Sequence, residues 1–337
     1  MKIICKKTDL AKAVQTVSKA VPTKSSTSIL ECILLRAEKE EITLTGNNLE
    51  LGIETVMSGN VEEEGSIAIQ AKVFGEIVRK LPEGDVVIET GEKDQATVRC
   101  KKTKYNLSVK SALEYTCIPD VEWKNRVMIS EFELKEAIRQ TIFSVADTSS
   151  KKAMTGELWE INGKELKIVA LDGHRISLRK VKLKKEYEPQ KVIVPGKNLA
   201  EMIKIIGGDP EKEVAVYFTE NHIQFEIENT RAISRLIEGE YLKDDTKKPI
   251  ILNIEENILS LEVASNMGSM NESMFIVKEG EKLRIGFNPK FLLEMLRVID
   301  DEEVFMYFTS AKTPCTVRDE KDSYVYLVLP VNLSTAA

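Results

Sequence analysis

The run Ala170-Leu171-Asp172-Gly173-His174-Arg175-Ile176 puts a carboxylate, an imidazole and a guanidinium within four consecutive residues. Asp172 with His174 would suit acid–base work, and Gly207-Gly208-Asp209 would suit a phosphate-binding turn. Neither belongs to a fuller constellation, because GxSxG, GxxxxGK[ST], HExxH and paired-carboxylate patterns do not accompany them. His222 stands in the strand-like Asn221-His222-Ile223-Gln224-Phe225 and reads as structural. The cysteines Cys5, Cys32, Cys100, Cys117 and Cys315 are scattered with no CxxC pair, and two histidines add little toward a zinc site. No catalytic residue, metal or cofactor is therefore expected, and a reducing cytoplasm is the expected setting.

Charge and hydropathy narrow the classes further. With 48 Lys and Arg against 54 Asp and Glu, the net charge is −6. Bulk electrostatics cannot hold nucleic acid to such a chain, although a local basic surface still can. The N-terminus meets Lys6 and Lys7 after a few residues, unlike a signal peptide. No stretch approaches the roughly 20 apolar residues that span a bilayer.

The residues above need elements to position them, and an internal repeat supplies these. Segments 67–81, 192–206 and 285–299 align without a gap, and 3–17 and 127–141 fit the same frame. Each opens as an alternating strand, turns, and continues as an amphipathic helix. The helical signature is an apolar residue followed three and four positions later by an apolar pair. It recurs as Leu10 with Ala13 and Val14, Phe74 with Ile77 and Val78, and Leu134 with Ala137 and Ile138. Leu199 with Met202 and Ile203, and Leu292 with Met295 and Leu296, complete the series. That spacing puts each set on one buried face. Alternating runs between the helices read as antiparallel strands, so the class is α+β with helices packed on antiparallel sheet. The first two units repeat at about 125 residues and the third is about 32 residues short, lacking its first strand and helix. Either a segment is deleted near Leu242–Thr246 or residues are left out of the sequence; the core face that an orphaned half-domain would expose favours the second.

The residue after each apolar pair is Gln15, Arg79, Arg139, Lys204 or Arg297, and Lys72, Lys197 and Lys290 lie seven positions earlier on three helices. Two helical turns put such cations almost on one line. Glu76, Glu201 and Glu294 between them allow each helix to be self-paired and merely solvated. Recurrence makes a phosphate-facing, sequence-blind surface an equal reading.

The motif Leu171-Asp172-Gly173-His174-Arg175-Ile176 resembles that of the bacterial DNA polymerase III beta subunit family, the sliding clamps. So do Leu81-Pro82-Glu83-Gly84, Val192-Ile193-Val194-Pro195, Leu236-Ile237-Glu238-Gly239, Gly286-Phe287-Asn288-Pro289 and the terminal Tyr326-Leu327-Val328-Leu329-Pro330-Val331. The resemblance implies three tandem clamp-type domains, 1–122, 123–243 and an incomplete 244–333 with a 334–337 tail, forming half of a closed ring. It implies a non-catalytic processivity factor: a head-to-tail homodimer that encircles duplex DNA. The implied groove for partner peptides uses Met154, Leu171, Gly173, His174, Arg175, Ile176, Leu327 and Leu329, with Asn288, Phe291, Pro330 and Val331 adjoining. Leu242 stands where the family usually has proline. Implied partners are the DNA polymerase III alpha subunit, clamp-loader subunits, other polymerases and repair proteins. Gln15, Lys24, Lys72, Arg79, Lys197 and Lys204 match DNA-facing positions, and Tyr105 and Leu107 match the subunit contact. The third-domain side of that contact belongs to the missing helix, so a true deletion predicts failure of ring closure. Two rivals are an enzyme, which would lose turnover without His174, and a repeat scaffold with no DNA role.

Overall fold

The computed structural model describes residues 1–39, 41–91, 94–116, 118, 124–148, 151–239, 250–265, 268–319, 321 and 323–331. The apolar triplets form helices α1 (Lys7–Val17), α2 (Ala71–Lys80), α3 (Glu131–Arg139), α4 (Gly196–Met202) and α5 (Pro289–Leu296). Each follows a strand directly. Leu10, Phe74, Leu134 and Leu199 are fully buried, as the 3.6-residue period requires. Start signals are local: the Asn288 side chain accepts the Lys290 N–H, and Pro289 needs no backbone donor at the first turn. Lys204 and Arg297 fall just beyond α4 and α5, so only α2 carries both of its seven-spaced cations within the helix.

The chain packs as two compact units. One comprises Met1–Glu131 with Ala200–Leu236. Its smaller sheet inserts strand Lys2–Lys6 between Asn60–Glu63 and Asp85–Thr90, then continues through Gln95–Cys100 to an outer strand, Thr103–Ser108. Its larger sheet has nine strands and joins two sequence repeats: Leu51–Met57 pairs antiparallel with Thr230–Arg235, Ile53 opposite Ala232.

The other unit comprises Phe132–Leu199 with Ile237–Ala337. A long hairpin, Gly156–Leu171 with Arg175–Pro195, pairs with Tyr324–Val328, Ser177 opposite Tyr326. Cys315–Arg318 and Phe305–Tyr307 extend this sheet. A separate four-stranded sheet runs in the order Gly268–Phe275, Ile258–Ser265, Ile250–Glu255, Leu283–Phe287. The structure covers residues 1–337 in sequence, and among the described residues the third repeat carries one helix, α5. Met270, Met274, Leu293 and Leu296 are all about half exposed.

One buried acid sits in this second unit. Glu157 is fully buried, accepting from the Thr141 hydroxyl at 2.9 Å and the Trp159 indole N–H at 3.1 Å. Burial pushes its carboxyl up to about 8, with both hydrogen bonds opposing. The native carboxyl keeps its proton after the unfolded one, near 4.5, has lost it. Its contribution to stability is thus full below about 4.5 and is lost as pH rises toward about 8. Glu157→Gln, permanently neutral, should flatten that fall, and its melting temperature relative to the natural chain should rise with pH in thermal scans.

Candidate functional site

The hairpin turn at Asp172 is built by its own side chain. Asp172 Oδ1 accepts from the His174 N–H at 3.0 Å and the Arg175 N–H at 3.2 Å, while Gly173 takes φ +93°, where a side chain would be strained. Sequence near the turn therefore dictates the turn. What surrounds it comes from far along the chain. Leu171, Ile176 and Leu327 face one another on three adjacent strands, a row of apolar residues on one sheet face. Leu171 is buried, whereas Ile176 and Leu327 are half-buried and accessible. Leu329 is held beside them by its N–H to the His174 carbonyl at 2.9 Å, and the Val331 N–H reaches the Gly286 carbonyl at 2.8 Å. Met154 is 1% exposed, so it is buried rather than presented to a ligand.

His174 stacks on Phe291 with ring centroids 5.9 Å apart. Beside them lies an open space of about 410 Å³, bordered by Phe143, Asp147, Arg175, Lys290 and Glu294. Asn288 caps the helix that presents Phe291. Pro330 and Val331 are half-buried at the other end. The groove residues expected from sequence thus share one unit, except Leu242, which lies outside the described residues.

Arg175 behaves differently from the expectation that it offers donors to a ligand. It is 4% exposed and donates to Asp172 at 3.0 Å, to Glu294 and to the Phe143 carbonyl, with its guanidinium 4.4 Å over the Phe291 ring. Its planar fork ties the turn to α5. Glu294, read as lying between Lys290 and Arg297 on its own helix, stands 3.8 Å from the Lys290 amine and also receives Arg175. Phe143, in a short 3₁₀ turn, carried no sequence signal for this role.

The cationic positions split by environment. Lys204 pairs with Glu201 at 2.6 Å, and Arg139 pairs with Glu136 and Asp300, so self-pairing holds there. Lys24, Lys72, Arg79 and Lys197 are exposed and make no ion pair among the described residues; Gln15 is exposed on α1. Tyr105 and Leu107 lie on Thr103–Ser108, the outer strand of its sheet. Burial lowers the His222 imidazole below its usual range, helped by Arg235, consistent with a structural residue. Among the described residues no acid, cysteine and histidine cluster suits a metal ion, and no helix is long and apolar enough to cross a membrane.

Comparison with known proteins gives the DNA polymerase III beta subunit N-terminal domain over residues 1–119, the central domain over 128–243 and the C-terminal domain over 219–332. The Bacillus subtilis beta sliding clamp is 32% identical over 376 aligned positions, covering 98% of this chain and 99% of that protein. That alignment is longer than the 337-residue chain, so it places gaps in this chain. A crystal structure of a DNA polymerase III beta subunit from Eubacterium rectale matches at 47% identity and TM-score 0.93, covering 99% of this chain and all of that one. The Bacillus subtilis clamp structure matches at 30% and TM-score 0.92, covering 98% and 99%. The chain belongs to the DNA polymerase III beta-subunit family, the non-catalytic beta sliding clamps of DNA replication.

Proposed function

We propose that two copies join head to tail into a ring around duplex DNA and tether polymerases through the groove at His174. The observation that supports this reading is a repeated strand joint. Leu51–Met57 pairs with Thr230–Arg235, and Arg175–Pro195 pairs with Tyr324–Val328, so the closing strand of one repeat is taken up by the repeat before it. The same rule leaves Gly268–Phe275 and Thr103–Ser108 as sheet edges without a neighbour among the described residues. A second copy can satisfy both at once. Loss of the third-domain helix argues against closure; the preserved edges, with their unpaired backbone groups, argue for it.

In this reading the domains run 1–122, 123–243 and 244–333. Gln15, Lys24, Lys72, Arg79, Lys197 and Lys204 meet phosphates weakly and without regard to base sequence, so the ring slides while topology prevents escape. The alpha subunit of the polymerase, clamp-loader subunits and repair proteins insert short apolar motifs over Ile176, Leu327 and Leu329. His174 and the backbone supply polar contacts.

Retention on nicked circular DNA, compared with the linear form, tests the ring. The chain should stay on the circle and run off free ends; equal loss from both would favour a scaffold with no DNA role. Lys72→Glu, Lys197→Glu and Lys204→Glu together should cut loading on the circle by about tenfold at moderate salt with the fold intact. Unchanged loading would remove the cationic lining.

A further inference from the structure

The first two repeats show what the third lacks. Lys2–Lys6 pairs with Asp85–Thr90, and Lys124–Ser130 pairs with Glu213–Phe218. These resident strands complete cores in which Val86, Ile88, Val214 and Val216 are all fully buried. The corresponding third-repeat strand, Phe305–Tyr307, pairs only with Cys315–Arg318 and ends its sheet. Its inward residues Val304, Met306 and Phe308 are left half-buried.

The helix position is open in the same way. In the first repeat α1 lies over Glu41–Asn47, Leu51–Met57 and α2. The matching strand carries Met270 and Met274 opposite Val263 and Leu259, and both are exposed, at 55% and 51%. Leu293 and Leu296 on α5 are 54% and 48% exposed. A strand seat and a helix seat therefore lie open in one repeat.

Charge says what fits. In the first repeat the resident strand is cationic at its ends: Lys6 pairs with Asp85 at 2.6 Å, Lys7 with Glu83 at 2.7 Å and Lys2 with Glu62 at 2.7 Å. Asp300-Asp301-Glu302-Glu303 leads into the open strand, with Glu303 in the place of Asp85. All four are exposed, and Asp301, Glu302 and Glu303 make no ion pair among the described residues. A second copy pairing edge to edge in the parallel sense would bring two such acidic runs together, which disfavours that register.

We propose that a partner protein completes this repeat by strand addition. The fitting segment alternates apolar residues with Lys or Arg and continues as an amphipathic helix whose apolar face covers Met270, Met274, Leu293 and Leu296. Backbone pairing along Phe305–Tyr307 gives affinity, and the acidic run selects a cationic strand. The proposal shares Gly268–Phe275 with ring closure: the added helix covers the face that carries Met270 and Met274, whereas the joint uses the strand's free edge.

The probe is a fluorescein-labelled peptide with the sequence of residues 2–17, carrying Cys5→Ser, titrated into the full chain by anisotropy. Micromolar binding is expected, with slower hydrogen exchange at residues 304–308. Asp301→Lys, Glu302→Lys and Glu303→Lys together should weaken it by about tenfold. Leu293→Asp with Leu296→Asp, both at exposed positions, should weaken it with the acids intact. No binding, protection confined to other strands, or affinity unchanged in both variants would overturn the proposal. So would concentration-dependent protection of residues 304–308 without peptide, which would assign the seat to a second copy.

Discussion

Removing every residue after Val328, together with His174→Ala, should abolish binding of polymerase-derived peptides, with affinity in calorimetry falling at least about a hundredfold. Leu329 and Val331 are tied back by two backbone hydrogen bonds, and in the proposed groove they form the outer wall beside the row Leu171, Ile176 and Leu327. Burying one aliphatic or aromatic anchor contributes about 1.5–3 kcal/mol, so loss of one wall and the stacking imidazole accounts for that factor. Leu329→Asp should give most of the same loss while leaving the last strand in place. Retained affinity in both variants would move the groove elsewhere.

Tyr105→Asp is expected to convert a micromolar dimer into a monomer in sedimentation and to erase retention on circular DNA. Tyr105 is half-buried in the middle of an outer strand, so the substitution spares the core beneath. In the joined sheet it would place an unpaired carboxylate among apolar groups, at a cost of about 3 kcal/mol or a hundredfold in dissociation constant. With the third-domain helix missing, only Leu107 and backbone pairing of the two strand edges are left in this reading to offset it. A natural chain that sediments as a monomer at micromolar concentration would sink the ring itself.

The five strand-to-helix units were legible in the sequence because period is local. Leu10, Phe74, Leu134 and Leu199 announce their burial by spacing alone, whereas the cap at Asn288-Pro289 was found in the structure. The turn at Asp172-Gly173-His174 is equally local, its hydrogen bonds closing within three residues, although that run reads in the sequence for its chemistry rather than as a turn. Helix ends were less legible: the apolar period carried past Met202 and Leu296, although the helices stop there and leave Lys204 and Arg297 outside.

Only the tertiary structure decided which strands meet. Ala232 pairs with Ile53 and Tyr326 with Ser177 across well over a hundred residues of chain, and alternation fixes a strand's faces but not its neighbour. Arg175 could not be read as buried from its own segment, because its partners Phe143 and Glu294 arrive from distant elements. The open seat in the third repeat follows likewise: the sequence determined that a strand and a helix are missing, while packing determined that nothing in the described residues covers Met270, Met274, Leu293 and Leu296.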